Sequence, residues 1–213
     1  MLKKRTLYSL ALVTFAFILY VVYYNFIYDP QAAGFLSHKT NLKRPLQLPV
    51  WLNVMYVHVI FACLAMAAGI INFSSYVFNR FHRFHRINGY AYFASIFMVC
   101  LTSGYMAPYA TGGKMTSIPF NLLNIIWPGM VVIALYYIKK DNLNRHRNWM
   151  FRSYALCFTN LFIHLITLLA RNVLGTDYKT AYILGVYGSI TLLLVLPSLV
   201  LARKKSPLFE LEA

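Results

Sequence analysis

One long apolar segment carries polar residues at helical spacing, and its two histidines are the first candidates for chemistry. The segment runs from His146 to Arg171, and at about 100° per residue His146 and His164 fall on one helix face. With a rise of about 1.5 Å per residue they are roughly 27 Å apart, close to the hydrocarbon thickness of a bilayer. The same face also carries Ser153, Cys157, Asn160 and Arg171. We therefore expect a continuous polar stripe that faces protein or a cofactor and not lipid.

The composition places this segment in an integral membrane protein. Of the 213 residues, 60% are hydrophobic and 12% are charged, which is too apolar for a soluble domain of this length. The formal charge of +15 comes from short basic runs between apolar segments. This pattern predicts a lipid bilayer as the partner and excludes nucleic acid. The five acidic residues lie outside the apolar segments, which argues against paired-carboxylate catalysis within the membrane.

The apolar segments predict an all-α fold, a polytopic bundle of six transmembrane helices in a single domain over residues 1–213. The predicted helices cover about residues 7–28, 50–71, 89–106, 120–138, 149–170 and 180–201. Polar bridges are expected at 72–88 and 139–148. In this scheme 14 of the 20 Lys and Arg residues lie on the side of the two termini. The positive-inside rule therefore predicts that both termini are cytoplasmic.

Four histidines fall at two predicted depths. His58 and His164 lie roughly 10 to 12 Å below the outer surface, whereas His85 and His146 lie near the cytoplasmic surface. Two imidazoles from neighbouring helices are the axial ligands that a b-type haem needs, so each pair is a candidate haem site. Small residues on the face of His58 permit close approach by a helix or a flat ligand; these are Ala62, Ala65 and Gly69.

Each of these residues also has a plainer interpretation. The outer histidines could be neutral groups hydrogen-bonded across helices, and the inner ones could contact lipid headgroups. Arg152 and Arg171 are candidate partners of haem propionates or residues that extend to the membrane surface. His82 and His85, three residues apart, are a weaker alternative as zinc ligands, since their bridge holds no carboxylate or cysteine.

Two motifs carry a family resemblance. The sequences HRINGY at 85–90 and HRNWMFRSYAL at 146–156 resemble predicted bacterial membrane proteins with domain of unknown function 2306. His58 and the arginine that ends helix five also fit that pattern, and the likeness covers roughly residues 50–171. It implies a bacterial multi-pass inner-membrane protein and no activity. The arrangement at two levels is similar, in architecture only, to b561-type transmembrane cytochromes, although here helix five would serve both levels.

The leading hypothesis is a plasma-membrane electron carrier with haem b at one or both levels, which passes electrons across the bilayer or to a quinone or another redox partner. The alternatives are a transporter or binding bundle for a small molecule or anion, and a membrane assembly protein without chemistry. A transporter of 213 residues with no duplicated half would have to act as a homo-oligomer.

Overall fold

The computed structural model describes residues 4–39 and 45–203, and every regular element in those ranges is helical. Six helical segments are long and apolar enough to cross a membrane, which confirms the predicted six-span all-α fold. They cover Lys4–Tyr28, Leu48–Asn72, His82–Tyr109, Lys114–Lys139, Leu143–Leu174 and Tyr178–Arg203.

Nine α-helices and three short helical turns build these segments. In chain order the helices are α1 (Lys4–Tyr23), α2 (Ala33–Leu36), α3 (Leu48–Asn72), α4 (Ser75–Arg80), α5 (His82–Met106), α6 (Lys114–Lys139), α7 (Leu143–Ala155), α8 (Thr159–Leu174) and α9 (Tyr178–Arg203) within the described ranges. A π-helical turn, Tyr24–Tyr28, continues α1, and 3-10 turns follow α5 (Ala107–Tyr109) and α7 (Leu156–Phe158).

The polar bridges are more helical than their hydropathy predicts. The bridge expected at 72–88 contains α4 and the first two turns of α5, and α7 begins at Leu143 instead of near residue 149. Capping explains the starts of α4 and α7, because the side chain of Ser74 accepts from the backbone N–H of Val77 and that of Asn142 accepts from Arg145 N–H. Hydropathy marks only the part of a helix that crosses hydrocarbon, so it misses polar turns at the surface.

The chain divides into two compact units, Met1–Asn124 and Ile125–Ala213. In the first unit, α3 and α5 form an antiparallel pair. Asn88 on α5 donates from Nδ2 to the Ala68 carbonyl (2.7 Å) and to Asn72 Oδ1 (2.8 Å) on α3. Ala65 and Gly69 are buried on the same helix, between Asn72 and His58, which both contact α5. The small-residue face predicted for helix two is therefore covered by another helix, α5.

In the second unit, α8 and α9 also pack closely. A Cβ atom added at Gly185 on α9 would collide with the hydroxyl of Thr167 and would lie 2.8 Å from the carbonyl oxygen of Ile163 on α8. Ala181 and Ser189, one turn before and one turn after Gly185, are buried on α9 as well. This spacing of small residues allows the two backbones to approach.

The polar stripe predicted along helix five is not continuous. Ser153 on α7 is fully buried, but Asn160, His164 and Arg171 on α8 are exposed. The 3-10 turn Leu156–Phe158 separates the two helices. Because a 3-10 turn advances about 120° per residue instead of about 100°, three such residues rotate the following helix by roughly 60°. The buried face of α8 is carried instead by Thr159, Ile163, Thr167 and Ala170.

Candidate functional site

His58 is held in one tautomer by a hydroxyl on α5. Its Nδ1 atom lies 2.9 Å from Thr102 Oγ1, which in turn lies 2.7 Å from the carbonyl oxygen of Met98 and 2.9 Å from that of Val99. Carbonyl oxygens only accept hydrogen bonds, so the single hydroxyl proton of Thr102 points to its own helix. The hydroxyl oxygen therefore accepts from His58 Nδ1–H. The other ring nitrogen, Nε2, keeps its lone pair.

His146, in the second unit, has its proton on the same ring nitrogen, because Nδ1 faces a backbone carbonyl. Its Nδ1 atom lies 2.9 Å from the carbonyl oxygen of Ala134 on α6. Because that oxygen can only accept, the proton of a neutral imidazole lies on Nδ1 and the lone pair lies on Nε2. Both histidines are half-buried. Each thus offers an Nε2 lone pair from a ring whose orientation is fixed by another helix.

A tight turn brings His146 back to α6. Asp141 has a left-handed backbone (φ 52°) at the end of α6, and Asn142 N–H donates to the Tyr137 carbonyl at 2.9 Å. The reversed chain then runs along α6. Arg145 donates to the hydroxyl of Tyr137 (3.2 Å), and farther along Trp127 Nε1 donates to Ser153 Oγ (3.1 Å).

His82 and His85 lie at the start of α5, close to one aromatic ring. Phe78 on α4 meets the ring of His85 edge-on at 5.2 Å and that of His82 at 5.7 Å between centroids. Within residues 4–39 and 45–203 no group of three or more His, Cys, Asp and Glu side chains could hold a metal ion. A zinc site at His82 and His85 thus finds no ligand set in the described part of the chain.

Within each unit the histidines lie at two levels. His58 is level with Thr102, and His85 precedes Thr102 by about 25 Å along the axis of α5. In the second unit, His146 begins the membrane segment and His164 is exposed near its other end on α8. The depth of each histidine in the membrane stays a prediction, and the structure leaves His164 without the orienting contact that His58 and His146 have in the described residues.

The two candidate arginines differ in environment. Arg152 is half-buried, donates from Nε to Ser198 Oγ on α9 (3.1 Å) and lies over the ring of Trp149 at 5.0 Å. Its partners are uncharged. Arg171 is exposed and lies over the ring of Tyr178 at 5.8 Å. Arg152 is accordingly the cation that stays within the fold, and Arg171 is the one that lies at its surface.

Sequence reasoning missed a third cation, Lys39, in the loop after α2. Its ammonium lies 4.3 Å from the ring centroid of Phe35 and 5.3 Å from that of Trp51, and it donates to the carbonyl oxygen of Tyr109. Burial lowers the pKa of Lys39 to about 8. Phe35 lies four residues before Lys39, but Trp51 and Tyr109 come from distant parts of the first unit, so the local sequence does not indicate the whole cluster.

One protein family matches the chain. The family described as predicted membrane protein (DUF2306) matches residues 55–201, which is more than half of the sequence and includes the four histidines discussed above. Neither a curated protein nor a solved structure matches.

Proposed function

The chain belongs to the DUF2306 family of predicted membrane proteins, and we propose that it works as a membrane-embedded haem b protein that carries electrons. The proposal includes its location in a bacterial plasma membrane with both termini in the cytoplasm. A quinone or a protein of the electron-transfer chain would be its redox partner.

The observation that carries the proposal is the hydrogen bond that Nδ1 of each of two histidines makes to a neighbouring helix. His58 and His146 each use Nδ1–H for a hydrogen bond of 2.9 Å to a neighbouring helix and keep the Nε2 lone pair. A metal-binding histidine in proteins commonly has this arrangement, because the second hydrogen bond fixes the ring and raises the basicity of the ligating nitrogen.

Neutral imidazole is a donor of the kind that haem iron binds in proteins. Neutral imidazoles are axial ligands of b-type haems, and haem supplies one-electron transfer when bound. His58 and His146 would be the first ligands of such a cofactor, and His85 and His164 are the remaining candidates. Among these four, His164 is the weakest because it is exposed.

Positive charge near such a cofactor would be supplied by arginine. The guanidinium of Arg152 has a serine hydroxyl and an indole ring as partners, so it retains its full charge for a carboxylate. Pairing with a propionate is the role that we propose for it, and Arg171 is the corresponding candidate nearer the surface.

The experiment is a visible spectrum of the full chain purified from haem-replete cells, recorded reduced minus oxidised. We expect a difference band whose amplitude falls at least several-fold in H58A and in H146A. The matched control is H38A, since His38 lies in an exposed loop, and it should keep the band. Circular dichroism and size-exclusion profiles show whether each variant is folded.

A folded preparation without pigment would reject the haem proposal. In that case thermal stabilisation by small anions or other solutes would favour the transporter or binding bundle, and co-purification with a larger complex would favour an assembly role. Neither result would change the assignment of this chain to its family.

A further inference from the structure

The elbow between α4 and α5, defined here as residues 76–87, combines two kinds of exposed side chain. Its bend lies at Phe81, which has φ −129° and ψ 62° between the two helices. The exposed basic side chains are Arg80, His82, Arg83 and Arg86, and the exposed aromatic and aliphatic ones are Tyr76, Phe81, Phe84 and Ile87. The two kinds alternate along the chain, so basic and apolar side chains are exposed close together between Arg80 and Ile87.

Two ring contacts hold the side chains of the elbow against one another. Phe78 is the aromatic residue of this stretch that is not exposed, and its ring contacts His85. Tyr76 meets Phe81 edge-on at 5.8 Å. The inner face is thus occupied by Phe78 and His85, while about half to two-thirds of Phe84 (49%) and Ile87 (67%) remains accessible.

The charge of the elbow is not neutralised by acidic residues of its own unit. The sequence has no Asp or Glu between Asp29 and Asp141. Asp29 lies at the opposite end of the unit, where its carboxylate accepts from the backbone N–H groups of Ala33 and Gly34 at 2.8 and 2.9 Å. The end of α1 near Asp29 packs on the first turns of α3 through Phe26 and Tyr56, whereas the elbow follows the last turn of α3.

We propose that the elbow is a binding surface for the headgroups of anionic phospholipids. It lies where the membrane segments Leu48–Asn72 and His82–Tyr109 end and begin, which is the depth of the headgroups. Guanidinium groups pair with phosphate oxygens in a bidentate manner, and exposed aromatic side chains are stable at the same interface. A soluble acidic protein would satisfy the arginines but would leave the interleaved apolar side chains without lipid.

The test compares the full chain in nanodiscs of phosphatidylcholine alone with nanodiscs that contain phosphatidylglycerol. We expect a higher melting temperature with phosphatidylglycerol, and a difference that shrinks as salt rises because the interaction is electrostatic. The triple variant R80Q/R83Q/R86Q should lose most of this difference. The control K139Q/K140Q/R203Q removes the same charge from other exposed positions and should keep it.

Three results would overturn the proposal. They are equal melting temperatures in both lipids, an equal loss in the control variant, and full stabilisation by inorganic phosphate in phosphatidylcholine, which would assign the surface to free anions. If the triple variant fails to fold in phosphatidylcholine, the double variant R83Q/R86Q replaces it, and about half of the lipid-dependent shift should be lost. None of these outcomes decides the haem proposal, because the variants leave all four candidate histidines unchanged.

Discussion

The Nδ1 atom of His58 on α3 lies 2.9 Å from the hydroxyl oxygen of Thr102 on α5. This contact joins the two helices of the first unit and determines which ring nitrogen of His58 is available. The same number of residues separates His58 from Asn72 as separates Asn88 from Thr102, and Asn72 and Asn88 are hydrogen-bonded. One antiparallel register therefore produces both contacts, and a change in that register would remove the orientation of the histidine.

Replacing Thr102 tests that relationship. We expect T102V to lower the free energy of unfolding by about 0.5–1.5 kcal/mol, because Nδ1–H loses its acceptor in a half-buried position. If the chain holds haem through His58, the reduced-minus-oxidised band should also weaken or shift. T102S keeps the hydroxyl and should behave like the wild type in both an SDS-unfolding titration and the spectrum. An unchanged unfolding curve for T102V would show that the hydrogen bond does not contribute.

Asn88 provides a second test of the α3–α5 pair. N88A removes both hydrogen bonds from Nδ2 to α3, and we expect it to destabilise the chain by about 1 kcal/mol, the usual scale of interhelical polar contacts in membranes. The matched control is N79A, because Asn79 is exposed on α4. The free energies of unfolding come from the same titration in detergent. Equal losses for N79A and N88A would contradict the packing described for Asn88.

Two glycines of α9 face different parts of α8. Gly185 lies close to its backbone, and Gly188 lies close to a flexible side chain. In G185A the new methyl group would lie 2.8 Å from a carbonyl oxygen of α8, whereas in G188A its nearest neighbour is the terminal Cδ1 of Ile166 at 3.2 Å. A backbone cannot move aside as a flexible side chain can. We expect G185A to cost about 1–3 kcal/mol and G188A less than about 1 kcal/mol. Thermal melting of the two variants measures the difference, and the reverse order would refute this helix contact.

The lowered pKa of Lys39 predicts that the stability of the folded protein rises with pH. Burial lowers that pKa from 10.5 to about 8, so between these values the unfolded chain binds a proton that the folded chain does not. The unfavourable contribution of Lys39 is therefore complete below pH 8 and is relieved as pH rises toward 10.5.

The variant K39M isolates this contribution, since it keeps an unbranched apolar side chain without the amine. Between pH 7 and pH 10 the stability of the wild type should rise relative to that of K39M, as measured by thermal melting at each pH. Acylation of the Lys39 amine, followed by mass spectrometry of its peptide, should increase through pH 8. A constant difference between wild type and K39M would contradict the lowered pKa.

The amino-acid sequence by itself determined the class of the fold. Stretches of about 20 apolar residues can satisfy their backbone groups in a bilayer only as helices, so the six spans and their order follow from hydropathy. The motifs around His85 and His146 were likewise sufficient for the family. Hydropathy predicted the helices α5 and α7 too short. Their first turns, which begin at His82 and Leu143, consist mainly of polar residues.

Only the tertiary structure decided which polar side chains are turned inward and what holds them. The 3-10 turn Leu156–Phe158 rotates α8 and leaves His164 exposed, and a helical wheel with one constant angle cannot anticipate that rotation. The Thr102 hydroxyl and the Ala134 carbonyl select the tautomers of His58 and His146. Such partners are distant in sequence and meet through the register of packed helices, which depends on the fit of side chains along the whole contact and not on the local pattern.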